Sequence, residues 1–203
     1  MLVLRGRLLI TRKAIDDPGV LAWLRRSNPD VGLHAMGVIY RKPVIDCFRR
    51  GILNPHIGLL PGYRGRSVME WSLLEGRPTG ATVFFVDEGI DTGSPIVLRR
   101  EVEVARFADV RSAKAHLFSL DAALLGEALD LLDRPGFTPV PNDGSGRRYY
   151  VMSRLFSGVV DSILSSKAAP GAAAAATDPQ MEGRGPGPVD ASATEATWRS
   201  TLM

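Results

Sequence analysis

Strand-like and helix-like segments alternate along the middle of this chain, and that alternation constrains its fold more than any other feature. Short segments rich in apolar, β-branched or aromatic residues and bounded by turn residues predict strands over 30–36, 51–54, 81–86 and 95–104. The segments between and after them predict helices over 43–50, 67–74 and 109–132. Such an alternation indicates an α/β fold, in which helices flank a mostly parallel sheet. In sheets of this kind, ligands bind beyond the carboxyl ends of the strands.

Two local patterns define the predicted helices. Ser67 and Glu70 have the spacing of a capping box, in which each side chain accepts a hydrogen bond from a backbone N–H at the start of a helix. A single long helix is predicted by apolar residues that recur at steps of three and four: Ala113, Leu117, Leu120, Leu124, Ala128 and Leu131.

Composition excludes several classes of protein. The 25 basic and 22 acidic side chains give a net charge of +3 without a dense basic patch, so composition gives no strong indication of nucleic acid, which is not expected as a partner. Cys47 is the only cysteine, so neither an internal disulfide nor a cysteine zinc site is expected. No apolar run is long enough to span a membrane, and no signal-peptide pattern is present, so we expect a cytoplasmic protein.

The composition changes near Lys167. From there onward alanine, glycine and proline dominate and large apolar side chains are scarce, so the segment cannot bury enough surface to offset the entropy of ordering it. We therefore expect a folded domain over 1–160 and a disordered Ala/Gly/Pro-rich tail over 161–203. Before Pro29, a short strand is expected at 8–10 and a helix at 20–24.

Three polar residues form the candidate catalytic group. Asn54 and His56 are two residues apart at the end of a predicted strand, so their side chains project to the same side. Asp91 lies in the loop after the next strong strand, which should bring it to the same edge. Acyl transfer to an amine needs an oxyanion donor, a group that handles the proton and a partner that orients it, and an amide, an imidazole and a carboxylate supply these without a metal. Taken singly, each residue is better explained by a structural role in a turn or a core.

Taken together, the motifs resemble those of a known family. Residues 54–93 contain N-x-H, L-L-P, Y-R-G and D-x-G-x-D-T-G in that order. This stretch resembles the formyltransferases that use N10-formyltetrahydrofolate, which include methionyl-tRNA, glycinamide ribonucleotide and amino-sugar formyltransferases. A weaker resemblance extends over 29–132. It implies a Rossmann-like sheet of the formyltransferase fold.

The resemblance also implies roles for individual residues. Asn54 and His56 would bind the formyl oxygen as it becomes an oxyanion, and Asp91 would orient the imidazole and assist proton removal. The pterin of the folate would lie against two loops that recognise it mainly through backbone groups: Met36, Val38, Ile39 and Tyr40 in one, and Val86, Asp87, Glu88, Gly89 and Ile90 in the other. No metal is implied. His34 is interpreted as a packed residue near the site, and Tyr63 and Trp71 as core or rim packing.

Two features depart from the family pattern, and a third resembles one branch of the family. A longer stretch precedes the position of Pro29 in relatives, so the N-terminal part is expected to be truncated. Gly58 replaces the serine that most members carry after the histidine. Residues 146–152 resemble the ending of a less characterised branch.

The implied activity is transfer of a formyl group from N10-formyltetrahydrofolate to an amine, by direct attack through a tetrahedral intermediate. The expected acceptor is a small molecule, an amino sugar that is often linked to a nucleotide. A formyltetrahydrofolate hydrolase and an inactive paralogue that binds folate or another protein are the alternatives. A homodimer is left open.

Overall fold

A four-stranded sheet forms the centre of the fold. The computed structural model describes residues 2–4, 7–9, 14–35 and 37–168, all within the unit Met1–Ala169. The described elements, in chain order, are β1 (Leu2–Leu4), β2 (Arg7–Leu9), α1 (Pro18–Ser27), β3 (Val31–Leu33), α2 (Lys42–Ile45), β4 (Gly51–His56), β5 (Tyr63–Gly65), α3 (Val68–Leu74), β6 (Gly80–Phe85), β7 (Ile96–Glu101), α4 (Val110–Ser119), α5 (Asp121–Asp133), β8 (Arg147–Tyr149) and α6 (Arg154–Lys167).

The strand order in the central sheet is β3-β4-β6-β7. The pairing of β3 with β4 is parallel, whereas β4 with β6 and β6 with β7 pair antiparallel. The predicted α/β sheet with flanking helices is confirmed, but parallel pairing among the described strands of this sheet is confined to β3 and β4. A parallel neighbour needs a crossover connection of about a dozen residues or more, usually a helix. The loop between β6 and β7 contains no helix, so these strands turn back on each other.

Helices cover the two faces of the sheet. On one face, α5 packs Leu124, Leu125 and Ala128 against Leu53 and Val83 of the sheet. On the other face, α1, α2 and the turn after α2 pack against Ile52 of β4 in a second cluster of buried residues: Val20, Leu24, Val44, Cys47, Phe48 and Ile52. The alternation of side chains along β4 therefore divides the strand between two cores.

The single long helix predicted over 109–132 is wrong, because the structure has two helices that meet at Leu120. The Asp109 side chain caps α4 by accepting a hydrogen bond from the N–H of Ser112. Ala113 and Leu117 of α4 pack with α6, whereas α5 packs on the sheet. The apolar residues that predicted one helix therefore pack in two places, those of α4 against α6 and those of α5 against the sheet.

The predicted capping box at Ser67 is also wrong. Ser67 has a left-handed backbone conformation with φ of 53° and makes no side-chain cap, and its Oγ accepts a hydrogen bond from the N–H of Met152 instead. Glu70 is buried, and its Oε1 lies 2.5 Å from Nζ of Lys114 on α4. The Glu70 carboxylate therefore joins α3 to α4 and does not cap the start of α3.

The folded unit extends beyond the expected boundary at residue 160. The helix α6 continues to Lys167, and its residues Val160 and Leu164 are fully buried against α3 and α4. Of the tail expected over 161–203, residues 169–203 lie outside the described residues. Among those that are described, no helix is long and apolar enough to cross a membrane.

Replacing Leu164 tests whether the end of α6 belongs to the core. Leu164→Ala should lower the free energy of unfolding by about 2–5 kcal/mol, because it leaves a cavity between α3, α4 and α6. Leu155→Ala on the same helix is the matched control, since Leu155 is 77% exposed and its loss should cost less than about 0.5 kcal/mol. Urea denaturation followed by circular dichroism measures both. Equal, small effects would contradict the placement of α6.

Candidate active site

Asn54 and His56 project from the same face of β4. In the register with β6, Asn54 lies opposite Phe84, and His56 lies opposite Thr82. The ring of His56 meets that of Phe84 edge to face, with 6.4 Å between centroids. The two side chains therefore lie on one face of the strand, as the spacing in the sequence predicts.

His56 is buried between two partners. Its Nε2 lies 2.9 Å from the carbonyl oxygen of Tyr63, to which it donates, and its Nδ1 lies 3.6 Å from Oδ2 of Asp91. The second distance is too long for a good hydrogen bond. Catalytic contacts in enzymes without substrate are often long and shorten when substrate binds. The pair is thus positioned for an imidazole that donates to the carboxylate when Nδ1 carries a proton.

Asp91 reaches His56 by a route that the sequence did not indicate. Because β6 runs antiparallel to β4, the loop after β6 starts beside Ile52 rather than at the carboxyl end of β4, and the N–H of Val86 donates to the Ile52 carbonyl. The loop then turns back, and Oδ2 of Asp91 accepts a hydrogen bond of 2.9 Å from the N–H of Gly65. Asp91 has a left-handed φ of 52°.

Polar contacts inside and outside the loop fix its shape. The Asp87 carboxylate accepts hydrogen bonds from the Gly89 N–H and the Thr92 hydroxyl. From outside, Nδ2 of buried Asn142 donates to the carbonyls of Gly93 and Asp91. Sequence reasoning missed Asn142, since its place before Asp143-Gly144 indicates only a turn.

A cavity of about 430 Å³ opens beside Asn54 and Asp91. Its volume lies within the range of small-molecule sites. Residues from both predicted folate loops line it: Val38, Ile39, Tyr40, Val86, Asp87, Gly89 and Ile90. Glu88 does not line it and accepts a hydrogen bond from the Lys42 N–H instead, and Met36 lies outside the described residues. His56 is not among the lining residues, although its partner Asp91 is.

His34 lines the cavity, although the sequence indicated only a packed residue. Its Nδ1 lies 3.1 Å from the Tyr40 hydroxyl. Burial lowers the pKa of His34, and the negative charge of Asp91 raises it in part. Burial also raises the pKa of Tyr40. The parallel register pairs Leu33 with Leu53, which places His34 beside Asn54, and only this pairing would have indicated its position.

A short parallel pair of strands, β5 and β8, closes another wall of the cavity. The rings of Tyr63 and Tyr149 stack with 5.2 Å between centroids, and both hydroxyls donate to the Glu75 carboxylate. Burial, and then the bond to Glu75, raises the pKa of Tyr149. Gly65 has φ of 103°, and a Cβ there would lie 2.2 Å from the Tyr149 carbonyl oxygen. The glycine of the Y-R-G motif is therefore required by the close approach of two strands.

Within the described part of the chain, no group of His, Cys, Asp and Glu side chains is arranged to hold a metal ion.

The pKa of His34 reports the geometry of this site. We expect it to lie below 6.5, since burial opposes protonation, and to fall further in Asp91→Asn, which removes the charge that raises it. Histidine ring resonances followed by NMR against pH measure this, with each signal assigned from a His→Gln variant. His116 on α4 is the control, because its lowered pKa arises from burial and Arg106 and should not respond. A His34 pKa that rises in Asp91→Asn would contradict the arrangement.

Solved structures of known formyltransferases share this fold. The formyltransferase PseJ from Anoxybacillus kamchatkensis, solved with tetrahydrofolate and a UDP-linked formamido sugar, superposes with a TM-score of 0.53 at 22% identity over 80% of this chain and 85% of that chain. Glycinamide ribonucleotide transformylase 1 from Symbiobacterium toebii gives a TM-score of 0.51 at 26% identity over 66% and 65%.

Sequence comparison leads to the same group of proteins. A methionyl-tRNA formyltransferase from Trichlorobacter lovleyi is 33% identical over 149 residues, which are 72% of this chain and 47% of that protein. The chain thus spans about half the length of the curated relatives it matches. Residues 8–129, more than half of the chain, match the sequence model of the protein family described as "Formyl transferase". The motifs from Asn54 to Gly93 lie inside that match, and the protein is therefore a member of the formyl transferase family.

Proposed function

We propose that this chain transfers a formyl group from N10-formyltetrahydrofolate to a primary amine. The observation that carries the proposal is that Asn54 and Asp91 line a cavity of about 430 Å³, with His56 next to Asp91, in a member of the formyl transferase family. When bound, the folate supplies a formyl group on a nitrogen that can leave.

The loops on either side of the cavity would hold the pterin. Residues 37–40 follow β3 and residues 86–90 follow β6, so two adjoining segments offer backbone donors and acceptors to a flat heterocycle. Apolar side chains of Val38, Ile39 and Val86 would cover its faces. The complex of PseJ with tetrahydrofolate supports this use of the fold.

The three polar side chains would divide the chemistry. The Asn54 amide would donate to the formyl oxygen as negative charge develops there. His56 would donate as well, with its Nε2 exchanging the Tyr63 carbonyl for the formyl oxygen when substrate binds. Asp91 would hold the imidazole and accept the proton that the attacking amine must lose. The new bond joins the amine nitrogen to the formyl carbon, the bond from that carbon to N10 breaks, and the proton ends on N10.

The acceptor proposed is an amino sugar linked to a nucleotide. Its support is the match to PseJ, which covers 85% of a chain solved with a UDP-linked formamido sugar. A second candidate is methionyl-tRNA, because curated relatives at 33% identity are methionyl-tRNA formyltransferases.

Replacing Asn54 tests its proposed role. Asn54→Ala should lower kcat by about 10²–10³-fold, the usual cost of removing one oxyanion donor. Loss of His56 in His56→Ala should reduce turnover at least as much. Release of tetrahydrofolate in the presence of an amine measures both, and His116→Ala, whose side chain lies away from the cavity, is the control. Turnover unchanged in Asn54→Ala would contradict the assignment.

The same release assay separates the possible functions. With wild-type protein, release that requires a UDP-linked amino sugar supports the proposal, and release that requires methionyl-tRNA supports the second candidate. Release without any amine would indicate a hydrolase instead. No release under any condition, with folate still bound, would indicate an inactive paralogue.

A further inference from the structure

Two arginine side chains and a tyrosine line the cavity wall formed by β5 and β8, and the catalytic scheme above uses none of them. They are Arg66, Arg148 and Tyr150. All three are exposed, and Tyr150 is 66% exposed although it is a large aromatic residue.

The strand register places these side chains together. Arg64 pairs with Arg148 across the parallel ladder, and the N–H of Arg66 donates to the carbonyl of Tyr149, which extends the ladder by one step. Side chains two residues apart on a strand share a face. Arg66 and Tyr150 therefore project to the same face as Arg64 and Arg148. The Arg64 side chain is already engaged, since its Nε donates to the Gly146 carbonyl.

The two cavity-lining guanidinium groups are free of acidic partners. Within residues 14–35 and 37–168, no ion pair includes Arg66 or Arg148. Arg148 lies over the ring of Tyr150, 5.1 Å from its centroid, and this contact leaves its N–H groups available. The acidic residues of the cavity are occupied elsewhere, because Asp87 holds Gly89 and Thr92 and Asp91 holds Gly65.

We propose that Arg66, Arg148 and Tyr150 form a subsite for an oxyanion, phosphate or carboxylate, carried by one of the two substrates. The planar guanidinium group matches both anions through paired hydrogen bonds. The exposed ring beside it offers an apolar face to an aromatic group attached to the anion. The anion has two candidate sources, a phosphate on the acceptor and the glutamyl carboxylates of the folate. Both follow from the proposed function, on which the subsite therefore rests.

Equilibrium binding of two probes tests the subsite. Uridine diphosphate represents the acceptor, and 5-formyltetrahydrofolate with one or three glutamyl residues represents the donor. In Arg66→Ala/Arg148→Ala, calorimetric titration should show affinity for the recognised probe reduced by about tenfold or more for each arginine lost, as for hydrogen bonds to charged groups. Arg66→Lys/Arg148→Lys, which keeps the charge but not the paired geometry, should fall between this variant and wild type.

Arg25→Ala/Arg26→Ala is the matched control. It removes the same charge from exposed residues at the end of α1, outside the cavity lining, and should bind both probes as wild type does. If the Arg66/Arg148 variant binds only uridine diphosphate more weakly, the anion is the phosphate of the acceptor. Weakening of the folate, greater for three glutamyl residues than for one, identifies the folate carboxylates.

The proposal is overturned if the Arg66/Arg148 variant binds both probes as tightly as wild type, or if wild type binds neither. Because binding is measured without turnover, these outcomes are independent of the catalytic assay. If the wild-type protein binds a probe through these arginines but releases no tetrahydrofolate, the subsite is supported and the proposed function is contradicted.

Discussion

The hydrogen bond from the Gly65 N–H to the Asp91 carboxylate is the contact on which the site depends. It joins the loop after β6 to β5, and it holds the carboxylate 3.6 Å from Nδ1 of His56. Gly65 can donate there only because it lacks a Cβ, which would meet the Tyr149 carbonyl oxygen. One backbone position therefore sets both the orientation of Asp91 and the approach of β8.

A cluster of buried residues between α3, α4 and α6 supports this arrangement. Met69 of α3, Leu117 of α4 and Leu164 of α6 pack together, and the ion pair of buried Glu70 with partly exposed Lys114 joins α3 to α4. Trp71 of α3 packs against the same cluster, and its Nε1 donates to the Tyr150 carbonyl. The packing of three helices is thus transmitted to the cavity wall that carries Arg66 and Arg148. The cavity therefore has hydrogen-bonded carboxylates on one wall and, on another, two guanidinium groups that form no ion pair among the described residues.

Much of the local structure could be predicted from the sequence. The strands β4 and β6 lie where β-branched and aromatic residues indicated them, and alternation along β4 placed Asn54 and His56 on one face. The cavity also brings residues of both predicted loops together, although Glu88 does not line it and Met36 lies outside the described residues. The split of one expected helix into α4 and α5 could not be predicted, since a regular apolar stripe does not reveal that its two halves pack on different layers.

By itself, the sequence determined the segments that form strands, the motifs that define the family and the spacing that sets Asn54 beside His56. These are local properties, fixed by backbone periodicity and by turn residues such as Pro61 and Gly62. Only the tertiary structure decided that β6 runs antiparallel to β4, that Asp91 returns to His56 and that β8 pairs with β5. Each of these depends on pairing between residues distant in the chain, whose partners are chosen by packing and backbone hydrogen bonding rather than by local pattern.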